Sequence, residues 1–390
     1  MMKTIAVLLL MFYAFSSLAQ VNYVNTSFEN ASPAQWTIDS STNTITVELI
    51  YDHERSSINR ANGHWHFQVE AVKGTAVTVI LKNFDNIWNR RHASPVMEKT
   101  DCLASTDGRT WKIVPTQLTD SNTLTVKLQM ESEKIFLASV EPYRISDLDK
   151  MIERIGKNKL VTIEQVGRTV EGRPLEIIRI GKNSKKSIVL RARAHPWEAG
   201  GNWVVEGLVS ALLKKESAKF LDQYTIYIMP MANKDGVARG KTRFNALGVD
   251  LNRQWDKEPD SLLAPEKFAF EKKLKQLVAS GNKPLLAIDL HNDNNGNIHV
   301  NLPTSRNQEY TENMKKFDSL LRRHTWYTEG SSHVVNPGSF GEGLAARYGI
   351  DACVYEFNYD WIAGLQKDPT AADWMQLGSK LPLVFYEYVR

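Results

Sequence analysis

Cysteine is scarce: Cys102 and Cys353 are the only two in 390 residues. That excludes a small fold stapled by disulfides and any zinc site built from paired cysteines. A bridge between the two stays open on sequence grounds, and two buried thiols are the simpler expectation. An excess of one charge is also missing. Lys and Arg number 48 against 44 Asp and Glu, a net +4, and no basic run is interleaved with aromatics. Nucleic acid is therefore not an expected partner. Beyond the first twenty residues no apolar run is long enough to cross a membrane, so no span is expected in the mature chain.

The first twenty residues differ from the rest. "MMKTIAVLLLMFYAFSSLAQ" has a charged start at Lys3, an apolar core from Ile5 to Phe15 and small residues at Ser17 and Ala19. That is the form of a secretory signal peptide over residues 1–19, cut after Ala19 to leave Gln20 first. No cysteine lies near the cut to carry a lipid. A secreted or periplasmic protein is expected.

From residue 20 to 143 the texture is β-rich. "NTITVELIYD", "HWHFQVEAV", "TAVTVILKNF", "NTLTVKLQM" and "KIFLASVEPY" alternate or run β-branched over five to eight residues. "STDGRTWKIV" reads as a hairpin turning on Asp107-Gly108. The expectation is an antiparallel β-sandwich domain. Trp36, Trp65, Trp88 and Trp111 either form a sugar-binding face or pack the core. Over 144–390 strands alternate with helices, the first helix capped at Ser146. "SIVLRARA", "YTIYIMPMA", "PLLAIDLHN" and "ACVYEFN" are near-continuous apolar strands; "GGNWVVEGLVSALLKKES", "PEKFAFEKKLKQLVAS" and "AADWMQLGSKLPLVFYEYV" are helices. This pattern predicts an α/β domain, a mixed and mostly parallel sheet with helices on both faces.

Ligands of such sheets bind outside the carboxyl ends of the strands. His195 and Glu198 follow one strand, Asp289 and His291 end a second, and Glu356 ends a third. A single H-x-x-E is weak, because nine histidines supply one such pair by accident about half the time. Two imidazoles and a carboxylate delivered to one rim are a workable zinc site with a position left for water. His299, in "NGNIHVNLP", competes with His291 as third ligand, but it reads as an ordinary strand residue or a pocket wall. His291 is preferred because it ends an apolar strand and has Asp289 as a supporting carboxylate.

Six segments in order resemble the zinc metallocarboxypeptidase superfamily, the fold of carboxypeptidase A. They are "GRTVEGRPL", "HPWE", "MPMANKDGV" with Lys234 where the family has proline, "GVDLNRQW", "DLHN" and "VYEF", over roughly residues 160–360. The cytosolic-carboxypeptidase branch, which also carries a sandwich before the catalytic domain, is the nearest in pattern. The resemblance implies one Zn2+ held by His195, Glu198 and His291. It implies Glu356 as general base, and Arg243, with Arg239 as the alternative, as the arginine that stabilises the oxyanion. It implies Asn252 and Arg253 as the grip on the substrate's terminal carboxylate. The substrate would be a peptide with a free C-terminus, branched and cell-wall peptides included. Two other readings stay open. One is a zinc deacylase of the aspartoacylase type acting on N-acyl amino acids. The other is a non-catalytic peptide- or glycan-binding protein. The tyrosine that many members place twenty-odd residues before the catalytic glutamate has no match here. Arg306, Arg322 and Arg323 are candidates for a basic selecting pocket. Oligomeric state is not encoded in any motif.

Overall fold

The computed structural model describes residues 20–390 except 53, 54, 56, 183, 302–307 and 334–337. The leader expected over 1–19 lies outside the described residues. Two five-stranded sheets form the N-terminal sandwich, with a core of Val47, Phe67, Val69, Val79, Leu81, Val126 and Leu137 among others. Alternation builds it: in Ala76–Lys82 every second residue is buried, so each strand gives one face to the core. One sheet is antiparallel throughout. The other contains one parallel pair, Thr44–Leu49 with Ala76–Lys82. The Asp107-Gly108 hairpin is present, and Cys102 pairs with Val114 across it. Its loop is wider than a two-residue turn because the Asp107 carboxylate accepts the Arg109 and Thr110 amides.

The tryptophans divide. Trp65 is buried against Phe84 and Trp36 packs edge-on to Tyr23 at the margin of the core, whereas Trp88 faces a cleft described below. Ser146 does not cap the next helix, which runs Ile145–Ile155 with Arg144 at the cap position. The cap contact comes from Asp147, which accepts the Arg144 amide, and the first-turn Ser146 amide donates to Glu29 of the sandwich.

The second domain is built on one eight-stranded sheet. Its centre is four parallel strands, in spatial order Thr225–Met229, Ser187–Ala192, Leu286–Asp293 and Asp351–Asn358. Antiparallel pairings flank them on both sides. Period-two alternation sorts their side chains. Ile188, Leu190, Ile288, Leu290, Cys353 and Tyr355 pack against the helices Gly200–Leu212 and Ala371–Tyr388. Val189, Ala287, Ala352 and Val354 pack on the other face against Pro265–Ala279 and Phe340–Tyr348. The two cysteines are free and buried, in different cores. Burial pushes the Cys102 thiol up to about 12, which keeps it protonated and unreactive.

Alternation also decides what reaches the carboxyl edge. Arg191, Asp289 and His291 continue the series begun by Val189 and Ala287, and Glu356 continues that of Val354. The register sets Arg191 beside Asp289 and His291 beside Glu356. The sandwich docks at this same edge. Asn30 donates to the Val237 carbonyl, and Gly240 lies so close to Ala31 that a Cβ would stand 2.1 Å from the Ala31 carbonyl oxygen.

Candidate active site

Past Ala192 the chain leaves the sheet abruptly. Arg193 takes a left-handed backbone conformation, φ 62°, which is costly for a side chain of its size. Its buried guanidinium holds the turn together, donating to the Pro196 carbonyl at 2.6 Å and to Asn202 at 2.9 Å. Burial lowers its pKa to about 9, so it stays charged at neutral pH. This turn carries His195 and Glu198 to the start of the helix Gly200–Leu212, and the Gly200 amide donates to Asn292 beside His291.

Three side chains converge there. Glu198 sets one oxygen 2.7 Å from His195 Nδ1 and the other 2.7 Å from His291 Nδ1, and the two ring nitrogens are 3.1 Å apart. All three residues are buried. Each imidazole gives its far nitrogen to a carboxylate. His291 Nε2 is 2.7 Å from Asp289, and His195 Nε2 is 3.2 Å from Asp250. A proton on each far nitrogen, held by its carboxylate, would leave both Nδ1 atoms free to ligate. Two imidazole nitrogens and a carboxylate, oriented from behind by carboxylates, are a donor set that fits zinc.

The supporting charges are themselves supported. Arg191 donates two hydrogen bonds to Asp289, gives a third to the Leu251 carbonyl, and lies over the rings of Trp255 and Phe340. Burial alone would raise Asp289; the Arg191 and His291 charges hold it at about 2. Burial would likewise raise Glu198, and His195 and His291 hold it below the usual carboxylate range. Asp250 is kept ionised by Arg243, whose Nε donates to it at 2.8 Å, and by His195. These opposed charges make the burial of so many ionised groups affordable.

The group opens into a cleft of about 430 Å³. Arg243, Asn252, Arg253 and Glu356 line it together with His195 and Glu198. Arg243 lies over the Trp88 ring, 5.2 Å from its centroid. Arg239 is turned away to solvent, paired with Glu171. Asn252 is held by the Phe340 amide, and Arg253 donates to the Asn252 carbonyl while its own Nε has no partner. Glu356 Oε2 is shielded from solvent and unpartnered. Burial pushes the Glu356 carboxyl well above the usual carboxylate range and Asp293 adds to it, against the pull of His291. His299 lines the cleft with Asp293 and Glu356 and does not join His195, Glu198 and His291. Among the described residues no tyrosine lines the cleft. Tyr327 and Tyr355 are buried against each other, and Tyr348 binds Glu271. Arg322 and Arg323 are on the outer surface of the helix Gln308–His324, paired with Asp318 and Glu387, so they form no selecting pocket. Arg306 lies outside the described residues.

Sequence reasoning missed Asp250, Arg191, Arg193 and the sandwich wall of the cleft, formed by Asn59, Trp88, Asn89, Ser94 and Pro95. Asp250 stood inside a quoted motif two residues before Asn252, and its acidity between apolar neighbours was the available signal. Of the wall only Trp88 stood out, as one of four sandwich tryptophans; the rest had no signal, since contact with the second domain is purely tertiary.

Comparison with known proteins agrees with this geometry. Residues 148–324 match the zinc carboxypeptidase family model, and residues 24–139 match the cytosolic carboxypeptidase N-terminal domain. An uncharacterized protein of Zymomonas mobilis is 28% identical over 228 residues, 57% of each chain. Cytosolic carboxypeptidase 1 of Danio rerio is 34% identical over 153 residues, 38% of this chain and 13% of that one. The chain thus spans little more than half, or far less, of the curated relatives it matches. A metallo-carboxypeptidase from Burkholderia cenocepacia superposes with a TM-score of 0.84 at 20% identity, over 94% of this chain and 98% of that one. Two family models in sequence lead to one assignment: the chain carries a zinc carboxypeptidase domain over residues 148–324, preceded over residues 24–139 by the cytosolic carboxypeptidase type of N-terminal domain.

Proposed function

We propose that this protein is a zinc-dependent carboxypeptidase that removes the C-terminal residue of a peptide, branched and cell-wall peptides included. The observation that carries the reading is a pair of unsatisfied groups in one cleft. Glu356 Oε2 and Arg253 Nε are both shielded and unpartnered beside the His195–Glu198–His291 group. Buried polar atoms are rarely left so unless a ligand satisfies them.

His195, Glu198 and His291 would hold the zinc, which when bound supplies a Lewis acid and lowers the pKa of water to about 7. Arg253 and Asn252 take the free carboxylate of the substrate, the guanidinium meeting both oxygens at once. That grip puts the last peptide bond, and no other, beside Glu356. Glu356 takes the proton of the attacking water and hands it to the leaving amine; its raised pKa suits a group that must do both. Arg243, fixed by Asp250, faces the negative charge that develops on the carbonyl oxygen. A preorganised donor of this kind is worth on the order of 3 kcal/mol in a site closed to water. We further propose export, on the leader-like form of residues 1–19; N-terminal sequencing of the mature protein should begin at Gln20.

The test is a digest of mixed linear and cell-wall peptides with added zinc, read by mass spectrometry. Stepwise loss of single C-terminal residues, stopped by a chelator and by amidation of the C-terminus, is expected. Release of amino acids from N-acyl amino acids with none from peptides would replace this reading with a deacylase.

A further inference from the structure

The sandwich does more than sit beside the cleft. Asp52, just beyond its strand Thr44–Leu49, is buried and reaches into the segment that carries Arg243. Its carboxylate accepts three consecutive backbone amides: Thr242 at 3.0 Å, Arg243 at 2.5 Å and Phe244 at 3.1 Å. Sandwich residues hold the same segment at two further points. The Gly63 and His64 amides donate to the Thr242 hydroxyl at 3.1 and 3.2 Å, and Trp88 lies under the Arg243 guanidinium. From the other side, the Thr242 carbonyl accepts the Trp197 amide, within the turn that bears His195 and Glu198.

We propose that the sandwich domain is a working half of the active site and that Asp52 is a positioning residue. It fixes the backbone of Arg243 so that the guanidinium meets the developing oxyanion. Three N–H groups converging on one carboxylate leave Arg243 almost no freedom at its Cα. Asp250 and Trp88 then fix the far end of the same side chain. A loop that only needed tethering to its neighbour would need one such bond. Small displacements of a preorganised charge are expensive: about 1 Å can cost on the order of a hundredfold in rate. Through Asp52 the sandwich therefore acts on the chemical step.

This inference rests on the reading of Arg243 as the oxyanion group, and the experiment separates the two. Asp52→Asn turns an amide N–H₂ towards backbone N–H groups and breaks the three-way grip. It is made in the full chain with Arg243 intact and with Arg243→Ala, and kcat, KM, bound zinc and thermal melting are measured. With Arg243 present, kcat should fall about ten- to a hundredfold while KM and zinc content stay within about threefold. With Arg243→Ala, the same change should cost less than about threefold, because there is no guanidinium left to misplace. Thr242→Val, which removes only the hydroxyl acceptor, should show a smaller loss with the same dependence on Arg243. It carries the test if Asp52→Asn does not fold. Asp360→Asn, a change elsewhere in the domain interface, should leave kcat unchanged. Equal losses in both backgrounds, or an unchanged kcat in Asp52→Asn, would reduce Asp52 to a structural tether. An unchanged kcat in Arg243→Ala alone would instead remove the role given to Arg243, and the positioning role with it.

Discussion

Glu356 and Asp289 are both buried carboxylates beside the same imidazole, yet their surroundings set them apart. Asp289 faces Arg191 and His291 and is held at about 2, whereas Glu356 has one oxygen with no partner and is pushed well above the usual range. The first can only accept; the second can take up a proton and release it. Their substitutions should therefore fail in different ways. Glu356→Gln is nearly isosteric and touches no proposed ligand, so bound zinc should stay at one per chain while kcat falls about 10²–10⁴-fold. Asp289→Asn removes the charge that fixes the His291 tautomer and strands the buried Arg191 guanidinium. Zinc affinity should fall about 10–100-fold, measured by competition with a chelator, and activity should return when excess zinc is supplied. A Glu356→Gln enzyme that lost its zinc, or one that kept its rate, would contradict this division of labour.

The elements that deliver these residues were readable because their patterns are strong. Val189, Ala287 and Val354 announce fully buried strands, and the next residues in phase are Arg191, Asp289, His291 and Glu356. A polar group at the end of such a strand is visible without any structure. The helices Gln308–His324 and Phe340–Tyr348 were not read, because the first is dominated by charge and the second is a short stretch bounded by Ser339 and Gly349. Glycines inside the helices carried a meaning that only packing reveals. Gly207 and Gly378 lie where Gly200–Leu212 crosses Ala371–Tyr388, and a Cβ on Gly207 would stand 2.1 Å from the Met375 carbonyl oxygen. Helix propensity favours alanine at such a site by about 1 kcal/mol. Overpacking against a backbone that cannot swing aside costs about 1–3 kcal/mol or more, so packing wins. Gly207→Ala should lower the free energy of unfolding by about 2 kcal/mol in urea titration, against the sign that propensity predicts.

At the scale of the whole molecule the two domains share one boundary, and that boundary holds both the Asp52 anchor of Arg243 and a charge problem. Away from the cleft, Asp360 is buried and its carboxylate accepts the Thr100 hydroxyl at 3.1 Å, with Asp101 of the sandwich and Asp368 nearby. Burial, then the charges of Asp101 and Asp368, raise its pKa to about 7. The unfolded chain loses this proton near pH 4, whereas the folded chain keeps it until about pH 7. Between those values the folded state binds more protons, so stability falls as pH rises and the penalty is complete above pH 7. Three units correspond to at most on the order of 4 kcal/mol, less what the interface regains by relaxing. Asp360→Asn keeps an oxygen for Thr100 and has no proton to lose. Its melting temperature should match the parent at pH 4 and exceed it at pH 8, with the difference growing across pH 5–7. A gain of equal size at every pH would assign the effect to packing and not to ionisation. The same edge thus ties Arg243 down through Asp52 and loosens through Asp360 as pH rises.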